Sequence, residues 1–401
     1  MSDFEVKVQK IFIKEHPDAD LLELGTIGST EGWQVVVGKG LYQSGDLIAY
    51  IGENSVVPDW VLQKYGYWDD TKDKGKLAGT RGDRVKACRL RGEFSLGICI
   101  PIRENSLGYS DEDKIVNVVF ELEGKHVQED DDVAELLGVT KYTAPVPVCM
   151  AGEVCNLAGK TLSYDIENIK NYPDEFEDGE LVEFTEKLHG TWLSAGQYPR
   201  LDHDEIYEGN IVVSSKGLSG QGLAFKFNEN NKDNLYINAF KNNFINKDGD
   251  NLFIKIRTVM LEYNILTSTT VDSTPIYFLG EIFGQGVQDL TYGLKKPEVR
   301  IFDIYVGNPG TGFYLSVLDR DSVIRAIGLK CVPKLYTGPF DKVVLAEYTN
   351  GIETISGTHI REGVVIKPII ERRSFKLGRV VLKSVSAAYL LRKNKNATEY
   401  N

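Results

Sequence analysis

Short apolar segments separated by turn residues make up roughly the first 140 residues of the chain. Turn signals recur between them at Gly38-Lys39-Gly40, Gly45-Asp46 and Arg91-Gly92. The predicted strands span residues 5–13, 34–37, 47–51, 85–90 and 97–101. This pattern predicts a small all-β barrel.

The middle of the chain carries the signals of a linker. Four acidic residues follow one another at positions 129–132, and Ala144-Pro145-Val146-Pro147 comes shortly afterwards. Like charges repel one another, and proline ends both helices and sheets. We therefore predict a boundary in the 140–160 region, with one domain at residues 1–150 and a second at residues 151–401.

The second half of the chain mixes strands with helices. Its strand-like apolar runs span residues 181–184, 211–213, 276–279, 301–306, 364–366 and 380–382. The asparagine-rich residues 228–251 are polar, and we predict that they form a surface insertion. Stacking of a nucleic-acid base on Tyr236 or Phe240 is an alternative, but a surface loop is favoured. No internal repeat or heptad pattern is present.

Composition is that of an ordinary globular protein, with 42% hydrophobic and 26% charged residues among 401. No apolar run is long enough to span a bilayer. The N-terminal sequence Met1-Ser2-Asp3-Phe4-Glu5 is acidic and has no apolar core, so it does not resemble a secretory signal. These features predict a cytoplasmic protein.

The five cysteines lack the spacing of a metal site. No C-x₂-C pair occurs and only five histidines are present, so we do not expect structural zinc. Buried, reduced thiols are the expected state, and they fit a reducing compartment.

Positive charge is concentrated in two places although the net charge is −12. Nine basic residues and one acidic residue lie between positions 367 and 395. The second concentration contains five basic residues and one acidic residue, and a solvated charged face is the alternative to nucleic-acid binding there. We predict that its basic residues contact RNA phosphates: Arg81, Arg84, Lys86, Arg89 and Arg91.

Several short motifs in the second half place charged or aromatic residues beside predicted strands. Each is weak alone, whereas their combination in this order is specific. Lys187 follows an apolar run and stands beside a flexible glycine. The motifs are Lys187-Leu188-His189-Gly190, Ser215-Lys216-Gly217, Gly280-Glu281, Phe302-Asp303, Glu362-Gly363 and the strand residues up to Lys383.

This succession resembles the motifs of the covalent lysyl-adenylate superfamily, which comprises DNA ligases, RNA ligases and mRNA capping enzymes. The resemblance covers Lys187 to Lys383, and His189 with the Ser215-Lys216-Gly217 turn looks like the RNA-ligase branch. In the first half, His16-Pro17-Asp18-Ala19-Asp20 and the segment 89–97 resemble the N-terminal OB domain of the fifth RNA-ligase family. The implied fold is an all-β OB-like barrel followed by an α+β nucleotidyltransferase (adenylyltransferase) domain of the ATP-grasp-like covalent ligase type.

The resemblance implies an ATP-dependent RNA ligase that joins 3′-OH to 5′-phosphate ends with the help of Mg²⁺ or Mn²⁺. Lys187 would carry the adenylate and Lys383 would contact the α-phosphate. Glu281 would bind the ribose or the metal, and Glu362 would hold the metal. Phe302 would stack on adenine. The remaining residues implied to bind ATP or AMP are Glu186, Leu188, His189, Lys216 and Lys367. Neither a membrane nor an obligate protein partner is expected.

One position departs from the family pattern. Many ligases have two lysines in the last motif, but this chain reads Val381-Leu382-Lys383. Arg379 or Lys367 could supply the missing cation. Two other functions stay open on the sequence: a DNA nick ligase that uses the same chemistry, and an RNA-binding protein that has lost catalysis.

Overall fold

The structure, a computed structural model, describes residues 4–107, 117–142, 148–199, 210–250 and 252–392. The described residues form two compact units, one ending at residue 142 and the other beginning at residue 148. Within these ranges, none of the helices has the length and apolar character needed to cross a membrane. The predicted linker residues 144–147 lie outside the described residues.

The N-terminal unit is built almost entirely from strands. Its two helices are α1 (Asp59–Lys64) and α2 (Ala134–Leu137). Its strands are β1 (Val8–Glu15), β2 (Leu22–Ile27), β3 (Trp33–Gly38), β4 (Leu47–Gly52), β5 (Ser55–Val56), β6 (Trp68–Asp69), β7 (Lys74–Gly75), β8 (Cys88–Leu90), β9 (Glu93–Ser95), β10 (Gly97–Pro101), β11 (Arg103–Leu107), β12 (Asn117–Leu122), β13 (Lys125–Val127) and β14 (Thr140–Lys141).

The central sheet of this unit curls towards a barrel. Its antiparallel strands run in the order β10-β4-β1-β2-β3. The backbone amide of Leu96 donates to the carbonyl oxygen of Gln34 on β3 at 2.9 Å, which brings the segment before β10 against the opposite edge. Ile11, Val35 and Ile48 fill the interior. Successive side chains of a strand point to opposite faces, so Val35 and Val37 of β3 both face this core.

The C-terminal unit combines strands with six α-helices among its described residues. These are α3 (Lys216–Ser219), α4 (Leu235–Phe244), α5 (Phe253–Glu262), α6 (Val317–Ile327), α7 (Lys342–Thr349) and α8 (Ala387–Leu390). The strands are β15 (Val154–Asn156), β16 (Glu167–Asn168), β17 (Leu181–Lys187), β18 (Gly190–Gln197), β19 (Ile211–Ser215), β20 (Leu223–Phe225), β21 (Ile276–Phe283), β22 (Glu298–Val306), β23 (Phe313–Tyr314), β24 (Lys334–Pro339), β25 (Gly363–Pro368), β26 (Arg373–Ser374), β27 (Gly378–Arg379) and β28 (Leu382–Val385). Short 3₁₀ turns occur at Val148–Met150, Ile169–Asn171 and Glu229–Asn231.

Two five-stranded sheets form the frame of this unit. One has the order β16-β28-β25-β17-β24, and the other has the order β19-β18-β21-β22-β23. Strands β17 and β18 are consecutive but belong to different sheets, so the chain crosses between the sheets at Leu188-His189. A Cβ atom on Gly190 would lie 2.1 Å from the carbonyl oxygen of Ile282, so this crossing requires glycine. Lys187 therefore ends its strand where the two sheets approach each other.

The predicted surface insertion at residues 228–251 is wrong. Its centre is helix α4, whose apolar residues pack into the main core of the unit, and Tyr236 and Phe240 are buried there instead of being available to bases. Asn234 caps the helix by accepting hydrogen bonds from the amides of Tyr236 and Ile237. Asparagine is abundant here partly because it caps the N-termini of helices. The apolar residues at helical spacing are the feature of this segment that indicates a helix.

Three smaller expectations also need correction. The strand predicted at residues 85–90 is observed only at Cys88–Leu90, as β8. The residues before it make isolated backbone hydrogen bonds, such as that from the Val85 amide to the Ser55 carbonyl oxygen at 2.9 Å. The strand predicted at 380–382 begins instead at Leu382. Cys88 and Cys149 are exposed rather than buried.

Candidate active site

Lys187 and Glu362 form the centre of the site. Lys187 is paired in register with Gly363, the first residue of β25, so the residue before β25 lies beside the end of β17. The Lys187 ammonium donates a hydrogen bond to Oε1 of Glu362. The Lys187 side chain is 18% exposed, whereas that of Glu362 is 1% exposed. An amine that reaches solvent is thus held by a carboxylate that does not.

The second carboxylate of the site is Glu281, in the middle of β21. Burial, with a smaller contribution from the nearby Glu362, raises the pKa of Glu281 to about 8, although Lys187 and Lys216 oppose the shift. A carboxyl group with so high a pKa is mostly protonated at pH 7. A cation close to it would favour the ionised form.

A cleft between the two sheets is lined by seven of the ten residues predicted for catalysis or for binding ATP, AMP or metal. The other residues on its wall are apolar, aromatic or polar side chains that the sequence did not single out. The predicted residues are Glu186, Lys187, Leu188, Lys216, Glu281, Phe302 and Lys367, and the additional ones are Tyr164, Ile166, Thr185, Trp192, Val332 and Val365.

Aromatic rings form one wall of this cleft. Phe302 is half-buried, and its ring centroid lies 5.4 Å from that of Tyr164. Tyr164 in turn stacks on Trp192 at 6.4 Å. Aromatic faces of this kind bind planar ligands by stacking. The sequence pointed only to Phe302, because Tyr164 and Trp192 lie outside the quoted motifs, although Trp192 follows Gly190 by only two residues.

Glu186 faces the same cleft from β17. Its Oε2 accepts hydrogen bonds from the amide and the hydroxyl of Thr354, at 3.0 and 2.6 Å. Its Oε1 is buried and has no partner among the described residues. Burial raises the pKa of Glu186, although the bonds from Thr354 oppose the shift. One acceptor of this carboxyl group is therefore available to a donor in the cleft.

Behind Phe302, a buried ionic network fixes the wall. Lys367 donates to Oδ1 of Asp303 and to the carbonyl oxygen of Phe302, both at 2.7 Å. Arg379 donates to both oxygens of Asp303, at 2.9 and 3.1 Å, and Tyr164 donates to Oδ2. Burial lowers the pKa of Lys367 to about 8 even though Asp303 opposes this. Burial alone would raise the pKa of Asp303, but Arg379 and Lys367 lower it well below its ordinary value.

This network bears on the missing lysine at Val381. Val381 is buried, and Lys383 lies on β28 opposite Val365 of β25. Both candidate replacements, Arg379 and Lys367, are bound to Asp303, but only Lys367 lines the cleft. Of the two, Lys367 is therefore the cation placed to face a ligand. Lys383 is buried and is not among the residues that line the cleft.

On the other side of Glu362 lies His189. Its Nε2 is 2.7 Å from Oδ1 of Asp289, and its Nδ1 is 2.6 Å from the hydroxyl of Tyr389. Arg392 also binds Asp289, at 3.1 and 3.2 Å. The sequence predicted His189 but missed its partners, because Asp289 sits in a glycine-rich loop and Tyr389 lies 200 residues away, and neither belongs to a recognised motif.

Two carboxylates near one point could hold a divalent cation. Oε2 of Glu362 is buried and has no hydrogen-bond partner among the described residues. Those residues contain no group of three or more His, Cys, Asp or Glu side chains placed to hold a metal ion. Hard cations such as Mg²⁺ are often held by one or two carboxylates, with phosphate oxygens and water in the other positions. Glu362 and Glu281 fit a site of that kind.

Lys216 begins helix α3 and reaches the cleft from the opposite sheet. Its ammonium donates to Oδ1 of Asp165 at 2.9 Å. Because the Lys216 side chain is still 23% exposed, it can contact an anion that enters the cleft.

The basic residues predicted to bind RNA separate into two groups. Arg84 is wrong as a surface contact: it is buried, donates to Asn54 at 2.6 Å and stacks 3.5 Å from the centre of the Tyr142 ring. Arg81, Arg89 and Arg91 are exposed, and Lys86 is half-buried. Arg84 is buried because its backbone pairs with Val56 and Ala78 and the next residue, Val85, belongs to the hydrophobic core.

Two family models match parts of the chain. A family model described as RNA ligase matches residues 180–385, and a model described as an OB-fold domain matches residues 6–102. A search of the curated proteins found no match.

Solved structures of a Naegleria gruberi RNA ligase are similar along most of the chain. A mutant with AMP and Mn is 23% identical, with a TM-score of 0.67 over 96% of this chain and 97% of that one. A mutant with ATP and Mn is 21% identical, with a TM-score of 0.65 over 96% and 98%. The same enzyme with PPi is 23% identical, with a TM-score of 0.66 over 96% and 97%. The predicted OB fold and the predicted ligase-type nucleotidyltransferase fold are confirmed.

Proposed function

Because the chain belongs to the RNA ligase family, we propose that it uses ATP to join an RNA 3′-OH end to a 5′-phosphate end through an adenylate on Lys187. The predicted family is thereby confirmed. The two alternatives that the sequence left open, a DNA nick ligase and an inactive RNA-binding protein, are not favoured, since the matched family is that of RNA ligases.

The observation that carries the proposal is the position of Lys187. It is the one lysine on the cleft wall whose ammonium is bound to the buried carboxylate of Glu362, and it lies beside a second carboxyl group, that of Glu281. The cleft also offers an aromatic wall and the unpartnered oxygen of Glu186. This combination suits a nucleotide whose phosphates point towards an amine.

In the first step the Lys187 amine would attack the α-phosphorus of ATP. A nitrogen–phosphorus bond forms, the bond to the β-phosphate oxygen breaks, and pyrophosphate leaves. The amine must lose a proton beforehand, and Glu362 is the carboxylate that already accepts a hydrogen bond from it. The adenine would stack on Phe302, and Glu186 would accept a hydrogen bond from the nucleotide, while Glu281 would lie on the ribose or metal side.

A divalent cation would be held by Glu362, with Glu281 close by. When bound, it neutralises phosphate charge and favours the neutral form of a nearby amine. The similar Naegleria gruberi structures carry Mn with ATP or AMP, which supports this requirement. The protein's own cations, Lys216 and Lys367, would contact phosphate or ribose oxygens of the nucleotide.

In the later steps AMP would pass from Lys187 to the RNA 5′-phosphate, and the 3′-OH would then displace AMP. Both are displacements at phosphorus that depend on positioning and charge neutralisation. The exposed arginines of the N-terminal unit, Arg81, Arg89 and Arg91, together with the half-buried Lys86, would hold the RNA backbone. OB folds bind single strands in this manner.

The decisive experiment is intact-mass spectrometry after incubation with ATP and Mn²⁺. We expect a gain of one AMP that pyrophosphate reverses, and we expect Lys187→Ala to show no gain. Lys255→Ala, an exposed lysine on α5, is the matched control and should be adenylylated normally. RNA strands with 3′-OH and 5′-phosphate ends should be sealed by the wild type and by Lys255→Ala, but not by Lys187→Ala. Sealing by Lys187→Ala, or no adduct before or after pyrophosphate treatment, would refute the proposal.

A further inference from the structure

The hydrogen-bond partners of His189 decide which of its ring nitrogens carries a hydrogen. Its ring is buried, with the side chain 3% exposed, and each ring nitrogen has one close partner. Nε2 lies 2.7 Å from the Asp289 carboxylate and Nδ1 lies 2.6 Å from the Tyr389 hydroxyl. Nδ1 is also 3.8 Å from Oε2 of Glu362, too far for a hydrogen bond.

Asp289 determines which nitrogen carries the hydrogen. Arg392 donates to both oxygens of Asp289, at 3.1 and 3.2 Å, and this ion pair favours the charged carboxylate although burial opposes it. Asp289 is therefore an ionised carboxylate, which can only accept hydrogen bonds. Nε2 of His189 must then be the donor, and in a neutral imidazole Nδ1 is left as an acceptor. The Tyr389 hydroxyl satisfies that acceptor.

The consequence falls on Glu362. Its Oε1 receives the Lys187 ammonium, whereas its buried Oε2 has no partner among the described residues. If His189 carried its hydrogen on Nδ1, a small rotation of the ring would let that N–H donate to Oε2 of Glu362. Oε2 would then have a hydrogen-bond partner and would no longer be open to a cation. The arrangement around His189 prevents this.

We propose that Asp289 and Tyr389 are positioning residues that hold His189 as the Nε2–H tautomer and so keep one oxygen of Glu362 open for a divalent cation. Arg392 supports the arrangement by binding Asp289 and by lying 3.8 Å from the centre of the Tyr389 ring. The functional part of this proposal rests on the proposed adenylylation of Lys187. The tautomer itself does not.

The direct test is ¹⁵N NMR of the full chain with labelled histidine, in which Lys187 chemistry plays no part. Only five histidines are present, and His189→Gln identifies the resonances of His189. We expect a protonated Nε2 and an unprotonated Nδ1. In Asp289→Asn, the carboxamide can donate to Nε2, so the Nδ1–H form should become populated. In Tyr389→Phe, the Nε2–H form should persist while the Nδ1 resonance moves.

The functional test is the Mn²⁺ concentration needed for half-maximal adenylylation. Residues that orient metal ligands typically affect metal affinity by about 10- to 100-fold. We expect a rise of about tenfold in Asp289→Asn and a smaller rise in Tyr389→Phe, with rates approaching the wild-type value at saturating Mn²⁺. Tyr336→Phe is the matched control, since its hydroxyl donates to Pro339 in another part of the unit.

The outcomes separate this proposal from the proposed function. An Nδ1–H tautomer in the wild type would overturn the proposal, and so would an unchanged Mn²⁺ requirement in both variants. If the wild type shows the Nε2–H tautomer but forms no adenylate, the arrangement of His189 stands and the proposed function fails. Thermal unfolding of both variants reports whether they fold, and Tyr389→Phe keeps the test valid if Asp289→Asn does not.

Discussion

Two concentrations of basic residues look alike in the sequence but differ in the structure. In the N-terminal unit, Arg81, Arg89 and Arg91 stay exposed. In the C-terminal unit, Lys367 and Arg379 bind Asp303, Arg372 binds Glu175 and Glu180, and Arg392 binds Asp289. Lys393 and Lys395 lie outside the described residues.

The difference teaches that local charge density is a poor guide to a nucleic-acid surface. The C-terminal cluster at residues 367–395 carries the larger excess of positive charge along the chain, yet the fold brings distant acids to most of its described members. Arg372, for example, meets acids 192 to 197 positions away. In the N-terminal cluster, Arg81 pairs with Asp59 and Asp83, but its own side chain stays 72% exposed. Phosphate binding needs cations that remain accessible.

The largest effect should follow from removing the shared acid of the buried cluster. Asp303→Asn would leave Lys367 and Arg379 buried beside an uncharged group, and breaking a buried pair in this way typically costs about 3–5 kcal/mol. We expect the C-terminal unit to lose stability of that order in urea unfolding. Asp59→Asn, which removes the exposed partner of Arg81, should cost less than about 1 kcal/mol. Equal losses would contradict the distinction between the clusters.

A smaller effect should separate the clusters in RNA binding. Replacing Arg81, Arg89 and Arg91 together by Ala should weaken binding of a single-stranded RNA and reduce its salt dependence by about 0.7 in slope for each phosphate that the protein no longer neutralises. Adenylylation by ATP should be unchanged. Fluorescence anisotropy across a salt series measures both the affinity and the slope. Arg372→Gln, which removes a cation that already has acidic partners, should leave the salt slope as it is; a change as large as that of the triple variant would contradict the interpretation.

The smallest effect is a pH dependence confined to the buried cluster. The pKa of Lys367 is about 8 in the folded protein, below its ordinary value near 10.5. Between these values the unfolded chain binds the proton more strongly, so this group's contribution to stability is lost as pH falls towards 8 and gained as pH rises above it. The limiting slope for one group is about 1.4 kcal/mol per pH unit.

Subtracting the unfolding curves of Lys367→Met from those of the wild type isolates this contribution, because other titrating groups cancel. We expect the difference to increase from pH 8 to pH 9.5. A flat difference would show that Lys367 keeps its proton throughout that interval, and that its pairing with Asp303 outweighs burial.

Much of the fold could be read from hydrophobic patterning. The short apolar runs at residues 34–37 and 47–51, separated by turn signals, predicted strands that the structure contains as β3 and β4. Patterning failed to predict helix α4 within residues 228–251, because the many polar asparagines hid the apolar face of that helix. A short helix with a narrow buried stripe is easily mistaken for a loop, because its periodicity extends over few turns.

The sequence by itself determined the order of the chemical motifs, the barrel-like pattern of the first half and the identity of Lys187, Glu281 and Glu362 as candidates. These depend on residues close together in the chain. Only the tertiary structure decided which cations remain accessible, which acids bind them, and that Asp289 and Tyr389 meet at His189. Such contacts join residues as far apart as 200 positions, and they form because strand pairing and the crossing between two sheets place distant segments side by side.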